Sequence, residues 1–240
     1  KTTGSGMRVI LWPDTFNNYF HPEVAHAAVA VLAAAGCEVH VPPRPLCCGR
    51  PLYEFGLLDA ARAYLQRILR TLDADIRAGT PIVGLEPACV SVFREELPNL
   101  LAHDEQAKRL SGQVFLLSEF LERKAPRCSL RPLKRRALVH GHCHHQAVLK
   151  MDAERAVLDR LGLDYEVLDS GCCGMAGSFG FEREKYDVSI KCAERVLLPA
   201  VRRASADTLI VTNGFSCRAQ IEELTRRRPL HIAEVLKWAL

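Results

Sequence analysis

Short apolar runs alternate with longer amphipathic stretches along the whole chain. The run MRVILWP reads as a buried strand. The pattern from Glu23 to Ala35 predicts a helix, stopped at Gly36 in the manner of a C-terminal glycine cap. The short strand CEVHVP follows, then the loop RPLCCGRPLYEFG. A second helix is predicted over Leu57–Ala78, then the strand PIVGLEP, the cysteine in ACV, an acidic helix and the segment VFLLSEFLER. From RRALVHGHCHHQ the order starts again. It runs through strand, loop, a helix over Ala153–Leu161 ending at Gly162, the strand YEVLDSG and the loop CCGMAGSFGFE. A helix over Arg183–Ala204, the strand TLIVTNG, the cysteine in FSC, a further helix and PLHIAEVLKWAL complete it.

The two halves share landmarks as well as order. Their Cys-Cys-Gly triplets stand 125 residues apart, Cys89 and Cys217 stand 128 apart, and SEFL and AEVL stand 115 apart. Offsets so similar across half a chain argue duplication. Strands alternating with helices predict parallel βαβ units with right-handed crossovers. The fold class expected is therefore α/β, with two duplicated Rossmann-like subdomains on parallel sheets over residues 7–125 and 134–240. In such sheets the loops at the carboxyl ends of strands build the sites. Both triplets fall in such loops.

Composition narrows the function classes. The 240 residues are 48% hydrophobic and 25% charged, an ordinary globular balance. The net charge of +4 is modest, and the basic runs Lys134–Arg136 and Arg226–Arg228 lack interleaved aromatics, so nucleic acid is not the expected partner. No apolar run reaches the length of a membrane span: EVAHAAVAVLAAAGCEV is interrupted by His26 and reads as a buried helix. The start, KTTGSGMRV, has no apolar region of the secretory type, and the residues before Met7 read as a linker, making the chain a piece of something longer. A cytoplasmic setting follows. Ten cysteines there point to metal or redox work rather than to a disulfide scaffold.

Cys143, Cys172, Cys173 and Cys217 each follow a predicted strand, so three loops at one sheet edge bring four thiols together. Four thiolates are what a tetrahedral zinc site or an iron–sulfur cluster requires. The first half offers Cys47, Cys48 and Cys89, while the counterpart of Cys143 falls in PDTFNN, where Asp14, Asn17 or Asn18 takes the slot. That incomplete second site binds nothing, binds through an oxygen ligand, or is vestigial. His140, His142, His144 and His145 surround Cys143, with His142 and His144 favoured for a direct role. His142, His144, His145, Glu86 and Asp169 are the candidate outer partners of the ligands; Glu86 and Asp169 read equally as ordinary strand-end acids. Cys37 and Cys192 read as small buried hydrophobes and Cys128 as incidental.

These motifs match a family. CCGRPLYEFG and SGCCGMAGSFGFE, with Cys143 upstream and Cys89 and Cys217 downstream, resemble the cysteine-rich CCG domain. That domain occurs in heterodisulfide reductase, in the glycolate oxidase iron–sulfur subunit and in lactate-utilisation proteins. LWPDTFNNYFHPEV, GLEPAC, HGHCHHQAV and LHIAEVL are similar to the C-terminal part of FAD-linked D-lactate, glycolate and D-2-hydroxyglutarate dehydrogenases. The resemblance spans Met7 to Leu240 and implies an electron-transfer module. In it FAD, on a separate upstream domain, oxidises a 2-hydroxy acid. Electrons pass through iron–sulfur centres, of the 4Fe-4S type, to a quinone or cytochrome. The ligands it implies are Cys143, Cys172, Cys173 and Cys217, with Cys47, Cys48 and Cys89 matching only in part. Its partners are FAD-binding and ferredoxin-like domains of the same longer protein or complex, and any membrane association runs through them. Two alternatives stand beside it: a structural zinc domain, and a thiol/disulfide reductase of the heterodisulfide reductase type. With no flavin-binding domain and no Cys-x-x-Cys-x-x-Cys run, this part of an oxidoreductase is expected to be inactive alone.

Overall fold

A computed structural model describes residues 6–240; the reading of the first residues as a linker lies, for 1–5, outside it. The chain divides into two compact units between Ser129 and Leu130. In the first, strands β1 (Met7–Leu11), β2 (Cys37–His40), β3 (Ile82–Gly84) and β4 (Val114–Leu116) form a sheet of order β2-β1-β3-β4. In the second, β5 (Arg136–Val139), β6 (Asp164–Val167) and β7 (Leu209–Val211) form a sheet of order β6-β5-β7. Every strand pair is parallel, as the alternation of strand and helix requires. Where the first sheet has its fourth strand, the second keeps a single bridge, Val211 to Leu230. The central strands are buried, with Val9, Ile10 and Leu11 in one unit and Ala137, Leu138 and Val139 in the other. That is the pattern of sheets covered on both faces.

The helix Pro22–Ala34 begins with proline in its first turn and stops before Gly36, whose φ of +82° suits glycine. Three longer expectations are corrected. The single helix over Leu57–Ala78 is two, Leu58–Thr71 and Asp73–Ala78, bent at the buried Leu72. Backbone bonds from Leu72 N to Ile68 O and from Ile76 N to Leu72 O flank the bend. The helix over Arg183–Ala204 separates into a 3₁₀ turn, Arg183–Lys185, and two helices, Tyr186–Glu194 and Leu197–Arg203. Pro199, which has no N–H, fits only in the first turn of a helix, so a new helix starts ahead of it. Pro98 acts similarly: the acidic helix after Cys89 opens into a π turn over Val92–Glu96, between Pro87–Ser91 and Leu97–Leu100.

The loop after the first triplet folds into a short helix, Arg50–Glu54. Its buried Arg50 donates from Nη1 to Glu96 Oε1 at 2.6 Å and from Nη2 to Ser91 Oγ at 2.7 Å. The guanidinium thereby ties the triplet loop to the helix that carries Cys89. Arg50→Ala strands a buried carboxylate and is expected to cost about 3 kcal/mol. A urea titration checks this; a change below about 0.5 kcal/mol, the range of ordinary surface substitutions, would refute the assigned role. Among the described residues no helix is long and apolar enough to cross a membrane.

Candidate metal centre

The parallel ladder sets the site. Where β5 ends, His140 N donates to Val211 O at 2.9 Å; where β1 ends, Trp12 N donates to Val83 O at 2.8 Å. Both ends of this bond move by 128 residues between halves, the step that separates Cys89 from Cys217. The same step makes Thr15, rather than Asp14, Asn17 or Asn18, the residue equivalent to Cys143, and the Thr15 side chain bonds Cys47. Asp14 caps the helix Thr15–Tyr19, accepting from Asn17 N at 2.9 Å and from Asn17 Nδ2 at 3.0 Å. Asp14 and Asn17 are thereby committed and buried, while Thr15 is exposed as Cys143 is.

In the second half the four expected cysteines meet. Thiol contacts run without a break from Cys143 to Cys172, from Cys172 to Cys173, and from Cys173 to Cys217. Cys143 and Cys172 are exposed; Cys173 and Cys217 are buried in an apolar cluster with Leu138, Leu168, Met175, Ile210 and Ile221. Cys217 lies in the first turn of the helix Phe215–Thr225, where the helix dipole favours a thiolate. Backbone N–H groups of His144, Gly174 and Met175 bond the sulfurs of Cys143, Cys172 and Cys173. That from Gly174 to Cys172 Sγ spans 3.3 Å.

The sulfurs shift one another's titration in opposite directions. Hydrogen bonds from Cys143 and Cys173 hold Cys172 far below the usual thiol range. The bond from Cys173, and then the imidazoles of His140 and His142, do the same for Cys217. Cys143 is pushed up by its bond to Cys172 and by burial, and Cys173 by its bonds to Cys172 and Cys217 and by burial. The shifts run in opposite directions along the row, because adjacent thiolates repel unless a cation neutralises them. His140 adds a second sign of the same kind. Its Nδ1 bonds Ser170 Oγ at 2.6 Å, yet its Nε2 is buried with no hydrogen-bond partner. One ligand atom from each of His140, Cys173 and Cys217 lies within 4.8 Å of the others. This set of donors fits a metal centre.

The other histidines stand further out. His142 and His144 stack at 5.2 Å, and Nδ1 of each is 3.9 Å from Cys143 Sγ. His142 Nδ1 also accepts from His144 N at 3.2 Å. His145 is buried at the start of a π turn, His145–Leu149. Asp169 is exposed, and its neighbour Ser170 makes the contact to the site. Gly214, absent from the sequence reading, is needed because a Cβ there would collide with the His142 ring.

The first half is built differently. Cys48 and Cys89 Sγ are 3.1 Å apart, and Cys47 touches Cys48 and the Thr15 hydroxyl. All three thiols are pushed up: Cys47 by its bond to Cys48 and by burial, and Cys48, against a lowering bond from Cys47, by Cys89 and burial. Cys89 rises, against the bond from Cys48, through burial and the nearby carboxylates of Asp14 and Glu86. Glu86 accepts from Ala88 N at 3.3 Å as a helix cap. Imidazoles therefore line one sulfur set and carboxylates the other. Cys37 and Cys192 are half-buried and Cys128 is buried; no cysteine among the described residues is in a disulfide.

Comparison with known proteins agrees with this layout. The cysteine-rich domain called CCG matches residues 14–94 and again 137–222. The anaerobic glycerol-3-phosphate dehydrogenase of Escherichia coli K12 has a subunit that is 32% identical over 97% of this chain, which spans 59% of that relative's length. D-2-hydroxyglutarate dehydrogenase of Pseudomonas putida is 28% identical over 95% of the chain, covering 22% of the relative. Lactate utilization protein A of Bacillus subtilis is 26% identical, with 96% of the chain and 99% of the relative covered.

Proposed function

The chain belongs to the cysteine-rich CCG domain family, and on that premise we propose that it is the iron–sulfur electron-transfer module of an FAD-linked 2-hydroxy acid dehydrogenase. One observation carries the reading: the unbroken contact of Cys143, Cys172, Cys173 and Cys217 sulfurs, delivered by three strand-end loops. These residues would hold a cluster of the 4Fe-4S type, which supplies one-electron chemistry when bound.

The chain's own groups set the conditions for that chemistry. The apolar cluster around Cys173 and Cys217 keeps water from the inner sulfurs. Amide N–H groups of His144, Gly174 and Met175 stabilise negative charge on the sulfurs and thereby favour the reduced state. Exposed Cys143 and Cys172 leave an open edge for electrons to enter or leave. Relatives named as part of a glycerol-3-phosphate dehydrogenase and as D-2-hydroxyglutarate dehydrogenase support an oxidoreductase setting. In this reading the flavin and ferredoxin-like domains are supplied by the rest of a longer protein or complex, and a quinone or cytochrome takes the electrons.

Anaerobic reconstitution tests the reading. The protein is expected to turn brown, bind iron and sulfide in equal amounts and give a paramagnetic signal in one oxidation state. The tight group of His140, Cys173 and Cys217 favours a single zinc ion as the second reading. Stoichiometric zinc with no iron after the same treatment would decide for it.

A further inference from the structure

We infer that His140 is a nitrogen ligand of the second-half metal centre, seated beside Cys173 and Cys217 and aimed by Ser170. The inference rests on the metal-binding reading above and goes beyond its all-sulfur ligand set. His140 is 2% exposed and Ser170 7% exposed, so neither side chain has water to satisfy it. The Nδ1 to Ser170 Oγ bond occupies one ring nitrogen and leaves Nε2 with no oxygen or nitrogen partner; the side chain otherwise interacts with the Cys217 sulfur. A buried nitrogen whose only neighbours of this kind are sulfurs is weakly satisfied, since sulfur is a weak hydrogen-bond partner. Ligation satisfies it. A ligating histidine commonly donates its other N–H to a fixed oxygen, which sets the tautomer and turns a lone pair to the metal. Ser170 Oγ, accepting from Nδ1–H, leaves the lone pair of His140 on Nε2. Ser170 stands two residues before Cys172, so one segment, Ser170–Cys173, supplies two sulfurs and the residue that orients the imidazole.

The comparison between halves points the same way. The step of 128 residues puts Trp12 where His140 stands. Trp12 Nε1 is also buried without a partner, but it is an N–H donor with no lone pair and cannot ligate. The half that has Thr15 in place of a fourth sulfur therefore lacks the nitrogen as well. The two losses coincide, as expected if sulfur and nitrogen serve one centre. His142 and His144 sit instead beside the exposed Cys143, each Nδ1 3.9 Å from its sulfur, and these three form a separate group of possible donors, which the double variant below tests.

Isotope-edited pulsed EPR tests the assignment on metal-loaded protein, using the reduced iron form, or cobalt(II) if the site takes zinc. With ¹⁴N-histidine and ¹⁵N-histidine protein, a strong, isotope-dependent nitrogen coupling is expected. It should disappear in His140→Gln and persist in the double variant His142→Gln/His144→Gln, which reports even if His140→Gln fails to fold. Ser170→Ala should keep the coupling yet yield its metal to a chelator with about ten-fold weaker affinity. Metal bound without strong nitrogen coupling, or coupling lost in the double variant, overturns the inference while leaving the metal-binding reading intact. A chain that takes up no metal overturns both.

Discussion

Cys173→Ser protein emerges from anaerobic loading colourless, with metal affinity reduced more than about 100-fold, beyond what the loss of an outer partner costs. Cys173 is the sulfur at the middle of the row, touching both Cys172 and Cys217. It is buried in the apolar cluster, so no water can take the place of the lost ligand. A serine hydroxyl keeps its proton at any pH where the protein is folded, and oxygen binds soft metals poorly. Cys192→Ser is the control, since that thiol lies in the helix Tyr186–Glu194, away from the row. Metal-to-protein ratios of both variants decide the matter. If Cys173→Ser retained the wild-type ratio, the proposed ligand set would be wrong.

The second large effect separates two glycines that look alike in sequence. Gly49 and Gly174 both close a Cys-Cys-Gly triplet, and both have positive φ, +81° and +95°. A Cβ at Gly49 would meet Tyr64 Cβ at 3.6 Å, an ordinary contact. A Cβ at Gly174 would run into the backbone carbonyl of Ser189, which belongs to a helix and cannot swing aside. Gly49→Ala should therefore cost about 1 kcal/mol, from the left-handed backbone alone. Gly174→Ala adds overpacking of about 1–3 kcal/mol to that strain, a large share of a typical stability of about 5–15 kcal/mol. Urea titrations of the two variants, followed by a probe in each unit, measure the difference. Equal losses would contradict the close approach of the second triplet to the helix Tyr186–Glu194.

Much of this molecule is legible before folding is considered. Strand and helix order follows from hydrophobic period, and the parallel sheets follow from their alternation. The duplication is visible because two triplets and two later cysteines keep nearly one spacing. Errors gather where a residue's effect is not periodic. Pro98 and Pro199 interrupt helices that their neighbours favour, and Leu72 bends a helix to stay buried.

The proposed ligand shell divides along the same line. Cys143, Cys172, Cys173 and Cys217 could be named from sequence because a cysteine after each strand is a local signal. That Thr15 takes the place equivalent to Cys143, that Ser170 rather than Asp169 bonds His140, and that His140 groups with Cys173 and Cys217 could not. Each depends on which backbone groups pair across a sheet between segments about 70 residues apart, as Trp12 pairs with Val83 and His140 with Val211. Composition and short-range spacing were enough to give the elements, their repetition and the sulfurs on offer. Which donors touch was settled by folding alone, because a one-residue slip in a parallel ladder turns every side chain to the other face.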